Sequence, residues 1–207
     1  NILQTCASAF DALTAASFQV ASIITTTGFS TVDFNAWPEL SKTILILLMF
    51  CGACAGSTGG GIKVSRIVIV IKNLRKELHS YIHPKSVRKI KFEGKPVDHD
   101  VVRSINVYFT TFIVIFVISV ILVSLEGYDF TTNFTAVLAA FNNIGPGLSL
   151  VGPTCNFGFF NPLTKYVLMF DMLAGRLELF PLLILFHPSI WKELFHSADM
   201  HMKKGNK

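Results

Sequence analysis

Thr25-Thr26-Thr27-Gly28-Phe29-Ser30-Thr31 closes a run of thirteen uncharged residues, 12–24, and leads into a polar loop. Thirteen helical residues fall short of a hydrocarbon core that takes ~20. Residues 12–24 therefore predict a re-entrant or buried helix, with Asp11 as its N-cap. The same build recurs downstream. Residues 132–141 form a short apolar stretch behind Gly127, Tyr128 and Asp129, and it closes on Asn142-Asn143-Ile144-Gly145-Pro146-Gly147. The residues after each turn test whether this is a repeat. Pro38, Leu40, Ser41 and Lys42 lead into a hydrophobic run reaching Met49-Phe50-Cys51-Gly52, and Pro162, Leu163, Thr164 and Lys165 lead into one reaching Met172-Leu173-Ala174-Gly175. Gly52 stands ten positions after Lys42, and Gly175 ten after Lys165. Two diverged copies of a short-helix, turn, long-helix unit account for the pattern.

The composition places this repeat in a membrane. Of 207 residues 51% are hydrophobic and only 15% charged, with 19 Phe, too apolar for a soluble domain of this length. Three segments approach or reach spanning length: 43–57 continuing through 62–71, 108–125, and 166–186. The middle one is uncharged and apolar on every face, unlike the one-sided stripe of a surface helix. The net charge of +5 follows sidedness. Eleven of the 18 Lys and Arg lie between Lys63 and Arg103 and four more between Lys192 and Lys207, whereas 31–41 and 126–164 hold Asp33, Glu39, Glu126 and Asp129 and no basic residue. The positive-inside bias thus puts linker and tail in the cytoplasm and removes any need for nucleic acid. The topology closes, with linker and tail on one side. Cys51 and Cys54 form a CxxC inside an apolar run without further ligands, which reads as small-residue packing. The chain begins at Asn1 without a signal peptide, so upstream membrane segments are expected.

A potassium ion crossing a membrane exchanges its water for closely spaced oxygens, most simply backbone carbonyls of an extended loop lining a wet cavity. Glycine permits the dihedrals that turn successive carbonyls toward one axis. Thr26-Thr27-Gly28-Phe29-Ser30 and Asn143-Ile144-Gly145-Pro146-Gly147 both superimpose on the Thr-Val-Gly-Tyr-Gly of potassium-channel filters at the central Gly. The candidate ion-binding backbone is therefore Thr26, Thr27, Gly28 and Phe29 with Asn143, Ile144, Gly145 and Pro146. Asn143 and Pro146 stand where a channel has Thr and Tyr, which leaves strict selectivity open.

Two further features lie in the long helices. Ala55-Gly56-Ser57-Thr58-Gly59-Gly60-Gly61 cannot sustain a helix cheaply, at ~1 kcal/mol per Gly. It lacks the Gly-Lys-Ser/Thr order and the preceding strand of a phosphate-binding loop. Arg176 sits in an otherwise apolar helix, opposite Ala53 in the repeat alignment. A lipid-facing charge there costs several kcal/mol, so it faces protein or water. Asp171 and Glu178 are alternative ion-pair partners, at spacings that are not the favourable three or four. The six His have no metal-ligand spacing, and no nucleophile and base stand together, so enzymatic chemistry and bound cofactors are not expected. Asn133-Phe134-Thr135 matches a glycosylation signal but starts the second short helix, and is discounted.

Residues 25–33 with TTTGFST, Gly56-Ser57-Thr58-Gly59-Gly60-Gly61-Ile62-Lys63, NNIGPGLS at 142–149, and Gly175-Arg176-Leu177-Glu178 with the following LLILF and Pro188 together resemble the TrkH potassium transporters. The resemblance implies an all-α integral membrane fold of helix, pore-loop, helix repeats like a potassium channel, four around one path with pseudo-fourfold symmetry. This chain would be the second half: 1–77 the pore helix, turn and broken second helix of the third repeat, 78–103 a basic cytoplasmic linker, 104–187 the fourth repeat, and 188–207 a cytoplasmic tail. It further implies potassium uptake across a prokaryotic inner membrane. A sodium-dependent KtrB-like or less selective cation transporter is the alternative. Gly56, Ser57, Thr58, Gly59, Gly60 and Gly61 would form a gate loop below the filter, with Arg176 beside the pore, repelling cations or tethering the loop. A homodimer, a TrkA-type nucleotide-binding cytoplasmic partner and the lipid bilayer are the implied partners.

Overall fold

The computed structural model describes residues 2, 8–52, 59–84, 89–92 and 94–176. Among the described residues, six α-helices carry the fold: α1 Ala9–Ile24, α2 Glu39–Phe50, α3 Val64–Ile82, α4 His99–Ser124, α5 Phe130–Phe141 and α6 Pro162–Arg176. Two-residue strands β1 Cys51–Gly52 and β2 Ile62–Lys63 pair in parallel, and β3 Lys91–Phe92 pairs antiparallel with β4 Lys95–Pro96.

The short helices start earlier than expected. Ser8, not Asp11, caps α1, its hydroxyl accepting the Phe10 N–H at 3.1 Å, and Asp11 falls in the first turn, where a carboxylate meets the positive end of the helix dipole. In α5 the cap is Asp129, which accepts the Thr132 N–H at 3.0 Å and the Thr132 hydroxyl at 2.6 Å. These bonds, the hydroxyl first, hold the Asp129 carboxyl below its ordinary 3.8. A carboxyl whose folded value is depressed stabilises the fold above its unfolded pKa, and that stabilisation is lost as pH falls through the folded value. Asp129→Asn is expected to lower the thermal midpoint of the full-length protein at neutral pH, by an amount that shrinks as the pH drops below about 4.

The first long helix is broken, as the glycine run requires, but sooner. It ends at Phe50, and parallel pairing of Cys51 with Ile62 and Gly52 with Lys63 takes over. Gly52 permits the close approach, since a Cβ there would lie 2.6 Å from the Gly60 carbonyl oxygen. The chain then resumes as α3, a basic helix that runs into the stretch expected as linker, with Lys72 donating to the Lys91 carbonyl oxygen at 2.8 Å.

Among the described residues α4, at 26 residues, is the helix long and apolar enough to cross a membrane, and only 28% of its most apolar window is buried. A soluble core would bury most of it; instead Ile113, Val114, Val117, Ile118 and Ile121 face outward. Its inner face carries Tyr108, Phe112 and Phe116. Phe141 of α5 meets Phe112 edge to face at 4.6 Å, and Phe134 meets Phe116 at 5.3 Å. α5 is held between α4, α6 and α2, with nine of its twelve residues buried, so protein covers most of its non-spanning length. The main apolar cluster joins the two halves: Phe34, Trp37, Leu45 and Met49 pack with Val123, Val137, Leu138 and Ile144.

Candidate ion-path site

The two short helices end in the same way, bond for bond. Thr25 N donates to the Ala21 carbonyl, Thr26 N to Ile23 and Thr27 N to Ser22; Asn142 N donates to Leu138, Asn143 N to Ala140 and Ile144 N to Ala139. This is the Schellman closure, which needs a left-handed residue after the cap. Thr26 at φ 54° and Asn143 at φ 55° supply it, both without being glycine. Two residues on, Gly28 and Gly145 are again at positive φ, 77° and 108°. The two turns picked out by spacing therefore share a backbone conformation.

The two turns touch. A Cβ at Gly28 would collide with the Ile144 carbonyl oxygen and lie 3.3 Å from Pro146 Cδ, so only glycine allows this approach. Thr26, Thr27, Asn143, Ile144 and Gly145 line a common cleft of about 680 Å³, walled by Lys165, Leu168, Met169 and Met172 of α6. The Phe29 side chain is exposed and its carbonyl accepts the Ser22 hydroxyl at 2.6 Å, so one lone pair of that oxygen is engaged. Ser22 thus fastens the first turn at both ends. Ser22→Ala, which removes one net hydrogen bond worth ~1 kcal/mol, is expected to lower the thermal midpoint of the full-length protein by a few degrees. An unchanged midpoint would show the bond to be dispensable.

Gly59, Gly60 and Gly61 of the expected gate are described; Gly56, Ser57 and Thr58 lie outside the described residues. Gly60 abuts the second turn, where a Cβ would lie 2.5 Å from the Asn142 carbonyl oxygen, and one at Gly61, φ 80°, would lie 2.7 Å from Asn142 Oδ1. Gly175 reaches the same place from α6, pressed on the Phe141 carbonyl oxygen and Asn143 Nδ2, while Asn143 Nδ2 donates to the Met172 carbonyl at 3.1 Å. The end of the glycine run and the helical turn bearing Arg176 therefore converge on residues 141–143. Arg176 is exposed at the last described turn of α6. Of its two alternative partners, Glu178 lies outside the described residues, and Asp171 is fully buried and accepts the Ser119 hydroxyl of α4 at 2.7 Å. Asn133, discounted as a glycosylation site, is 1% exposed and donates to the Tyr128 carbonyl.

Two features escape the sequence pattern. The Ser119–Asp171 bond joins residues 52 apart on two helices, where the sequence offered Asp171 only Arg176 as a partner. Asn35, in a loop, binds residue 149 through both ends of its amide. Neither pair has a spacing or motif to mark it.

A broken helix, a short buried helix and glycine turns facing a cleft fit a helical membrane protein, and comparison with known proteins gives the family. The family model described as TrkH, cation transport protein, matches residues 5–193. The chain belongs to the TrkH family. It is 39% identical over 186 residues to the Trk system potassium uptake protein TrkH of Salmonella typhimurium, covering 90% of this chain and 38% of that protein. It is 41% identical over 185 residues to the TrkH of Vibrio parahaemolyticus, covering 89% and 38%. The crystal structure of the potassium transporter TrkH from Vibrio parahaemolyticus superimposes with a TM-score of 0.83 at 40% identity, over 92% of this chain and 41% of that one. The chain thus spans about two-fifths of the length of these relatives.

Proposed function

We propose that this chain supplies two of the four filter strands of a potassium-uptake pore, the other two coming from sequence outside it. The observation that carries this reading is the matched pair of turns, with left-handed Thr26 and Asn143 and positive-φ Gly28 and Gly145, in backbone contact at Gly28 and Ile144. Extended backbone here is walled by α5 and α6 rather than lipid, the setting in which carbonyls can replace a hydration shell. The backbones of Thr26, Thr27, Gly28 and Phe29 and of Asn143, Ile144, Gly145 and Pro146 are the proposed ion ligands, and potassium is the cargo.

The residues 56–61 act as gate in this reading. Its support is the docking of Gly60 and Gly61 on Asn142, directly behind the second turn. Arg176, one residue after the Gly175 contact, places a cation beside that junction, where it opposes ion flow or tethers the loop. Arg176→Ala is expected to raise basal flux severalfold without changing which cation is carried. Parental flux would remove Arg176 from the gate.

The basic segment 78–103 and the tail 188–207 belong in the cytoplasm of a prokaryotic cell, by the positive-inside bias. The names of the relatives place them within a Trk system. A homodimer and a TrkA-type nucleotide-binding subunit are the assembly proposed here, with the basic segment as a docking surface.

Expression of the full-length protein in a bacterium lacking its own potassium-uptake systems tests the function. Growth at limiting potassium, with uptake that excess sodium does not compete, is the expected result. Equal uptake of sodium and potassium would favour the less selective reading and contradict this one.

A further inference from the structure

Beyond the turns themselves, the two halves of the chain are joined at the far end of the same loops. Asn35 Nδ2 donates to the Ser149 carbonyl at 3.0 Å, and the Ser149 N–H donates to Asn35 Oδ1 at 2.9 Å. One planar amide thus binds both backbone groups of a single residue of the other repeat, as donor and acceptor at once. Both sides of the contact are built for it. Asn35 sits in a 3-10 turn, Phe34–Ala36, capped by Asp33, whose carboxylate accepts the Asn35 N–H at 2.9 Å, and flanked by Phe34 and Trp37, which are buried. Ser149 is held at φ 59°, and Gly152 leaves room for the amide, since a Cβ there would collide with Asn35 Nδ2.

The segment that Asn35 grips leads directly from the second turn. Gly147 N donates to the Val151 carbonyl, Leu148 N to Thr135 Oγ1 and Leu150 N to Thr132 Oγ1, so it is also pinned to α5. The first turn is pinned to α1 by Ser22. The two strands thus meet each other at Gly28 with Ile144, and the loops leaving them meet at Asn35 with Ser149.

The device is one-sided. Offsetting the repeats so that Lys42 meets Lys165 aligns Asp33 with Asn156, both side-chain caps of three-residue 3-10 turns, and Trp37 with Phe160, both buried. Asn35 then aligns with Gly158, which has no side chain to reach another repeat. The loop it catches is the longer one: Asp33 stands five positions after Gly28, whereas Asn156 stands eleven after Gly145.

We infer that Asn35 is a positioning residue for ion selection, a clamp that sets the spacing of the third and fourth filter strands by binding the Ser149 backbone. The inference rests on the proposed potassium pore and adds a residue that contacts no ion. Carbonyl cages discriminate between cations by spacing and rigidity, so releasing the clamp changes the ion ratio before it changes the fold.

The test measures potassium and sodium uptake by full-length protein in proteoliposomes, as a ratio that cancels differences in protein amount. Asn35→Ala is expected to reduce the potassium-to-sodium ratio about tenfold, the effect of losing two hydrogen bonds that order the strand. Asn35→Asp keeps the acceptor for Ser149 N–H but sets a carboxylate oxygen against the Ser149 carbonyl, and is expected to lower the ratio at least as far as Asn35→Ala. Gly152→Ala, which displaces the amide without altering it, is expected to reproduce the Asn35→Ala ratio. Parental ratios in all three variants would overturn the clamp while leaving the pore standing. Failure of all three to accumulate in the membrane would make Asn35 a folding residue and overturn its role in selection. A parent protein that carries potassium and sodium equally would overturn the pore reading, and the clamp with it.

Discussion

Gly28→Ala is expected to abolish potassium uptake by the full-length protein at unchanged membrane abundance. Two costs coincide at this position. The backbone is at φ 77°, where a Cβ carries a penalty, and the Cβ itself lands on the Ile144 carbonyl oxygen. Left-handed strain and overpacking against rigid backbone amount together to roughly 3 kcal/mol, or about a hundredfold in the population of the competent turn. Gly145→Ala provides the internal control. It has φ 108° but nothing within 4 Å of a Cβ, so only the backbone penalty applies. Its loss of uptake is expected to be the smaller of the two. Rubidium uptake normalised to protein in the membrane reads both. Equal uptake by Gly28→Ala and parent would mean that the two turns do not need to touch.

Gly175→Ala is expected to produce the largest loss of stability among single methyl additions to α6. A Cβ at Gly175 meets the Phe141 carbonyl oxygen and lies 2.9 Å from Asn143 Nδ2. Neither can retreat easily. The Phe141 carbonyl is part of the helix end that carries the second turn, and Asn143 Nδ2 is already bonded to the Met172 carbonyl. Moving α6 outward to admit the methyl separates these groups, a cost of about 3 kcal/mol for overpacking. Thermal unfolding of the purified full-length protein in detergent should show a midpoint several degrees below that of the parent. Potassium uptake should fall in parallel, because the same contact supports the turn. A parental midpoint would mean that α6 does not press on the end of α5.

The parts of this fold visible in the sequence are those with a local physical cause. Short apolar runs ending in Gly or Asn turns announced α1 and α5, and equal spacing from lysine to glycine announced their kinship. The broken helix followed from four glycines in six positions. Helix starts were harder, because Ser8 and Asp11 are both residue types that cap helices, and the choice of Ser8 shows only in its bond to the Phe10 N–H. The end of α2 at Phe50 was also out of reach: it depends on pairing between Cys51 and Ile62, eleven positions apart, which no propensity encodes. The candidate site divides the same way. Glycines with positive φ are readable because few other residues tolerate that conformation, and Asn143 is the usual alternative at a helix end, whereas Thr26 adopts it only because the helix closure requires it. Asn35 and the Ser119–Asp171 bond join distant elements, and single polar residues in apolar or loop surroundings do not name their partners.

The central claim is that the turns at Gly28 and Gly145 hold the transported ion. Crystals of the full-length protein grown with rubidium or thallium, and measured at the absorption edge of that ion, test it most directly. Anomalous density is expected on the axis between the two turns, at about 3 Å from their carbonyl oxygens, with a matching contribution from the two strands supplied outside this chain. Density elsewhere in the protein, with none beside Thr27, Gly28, Ile144 or Gly145 in a preparation that transports the ion, would contradict the account.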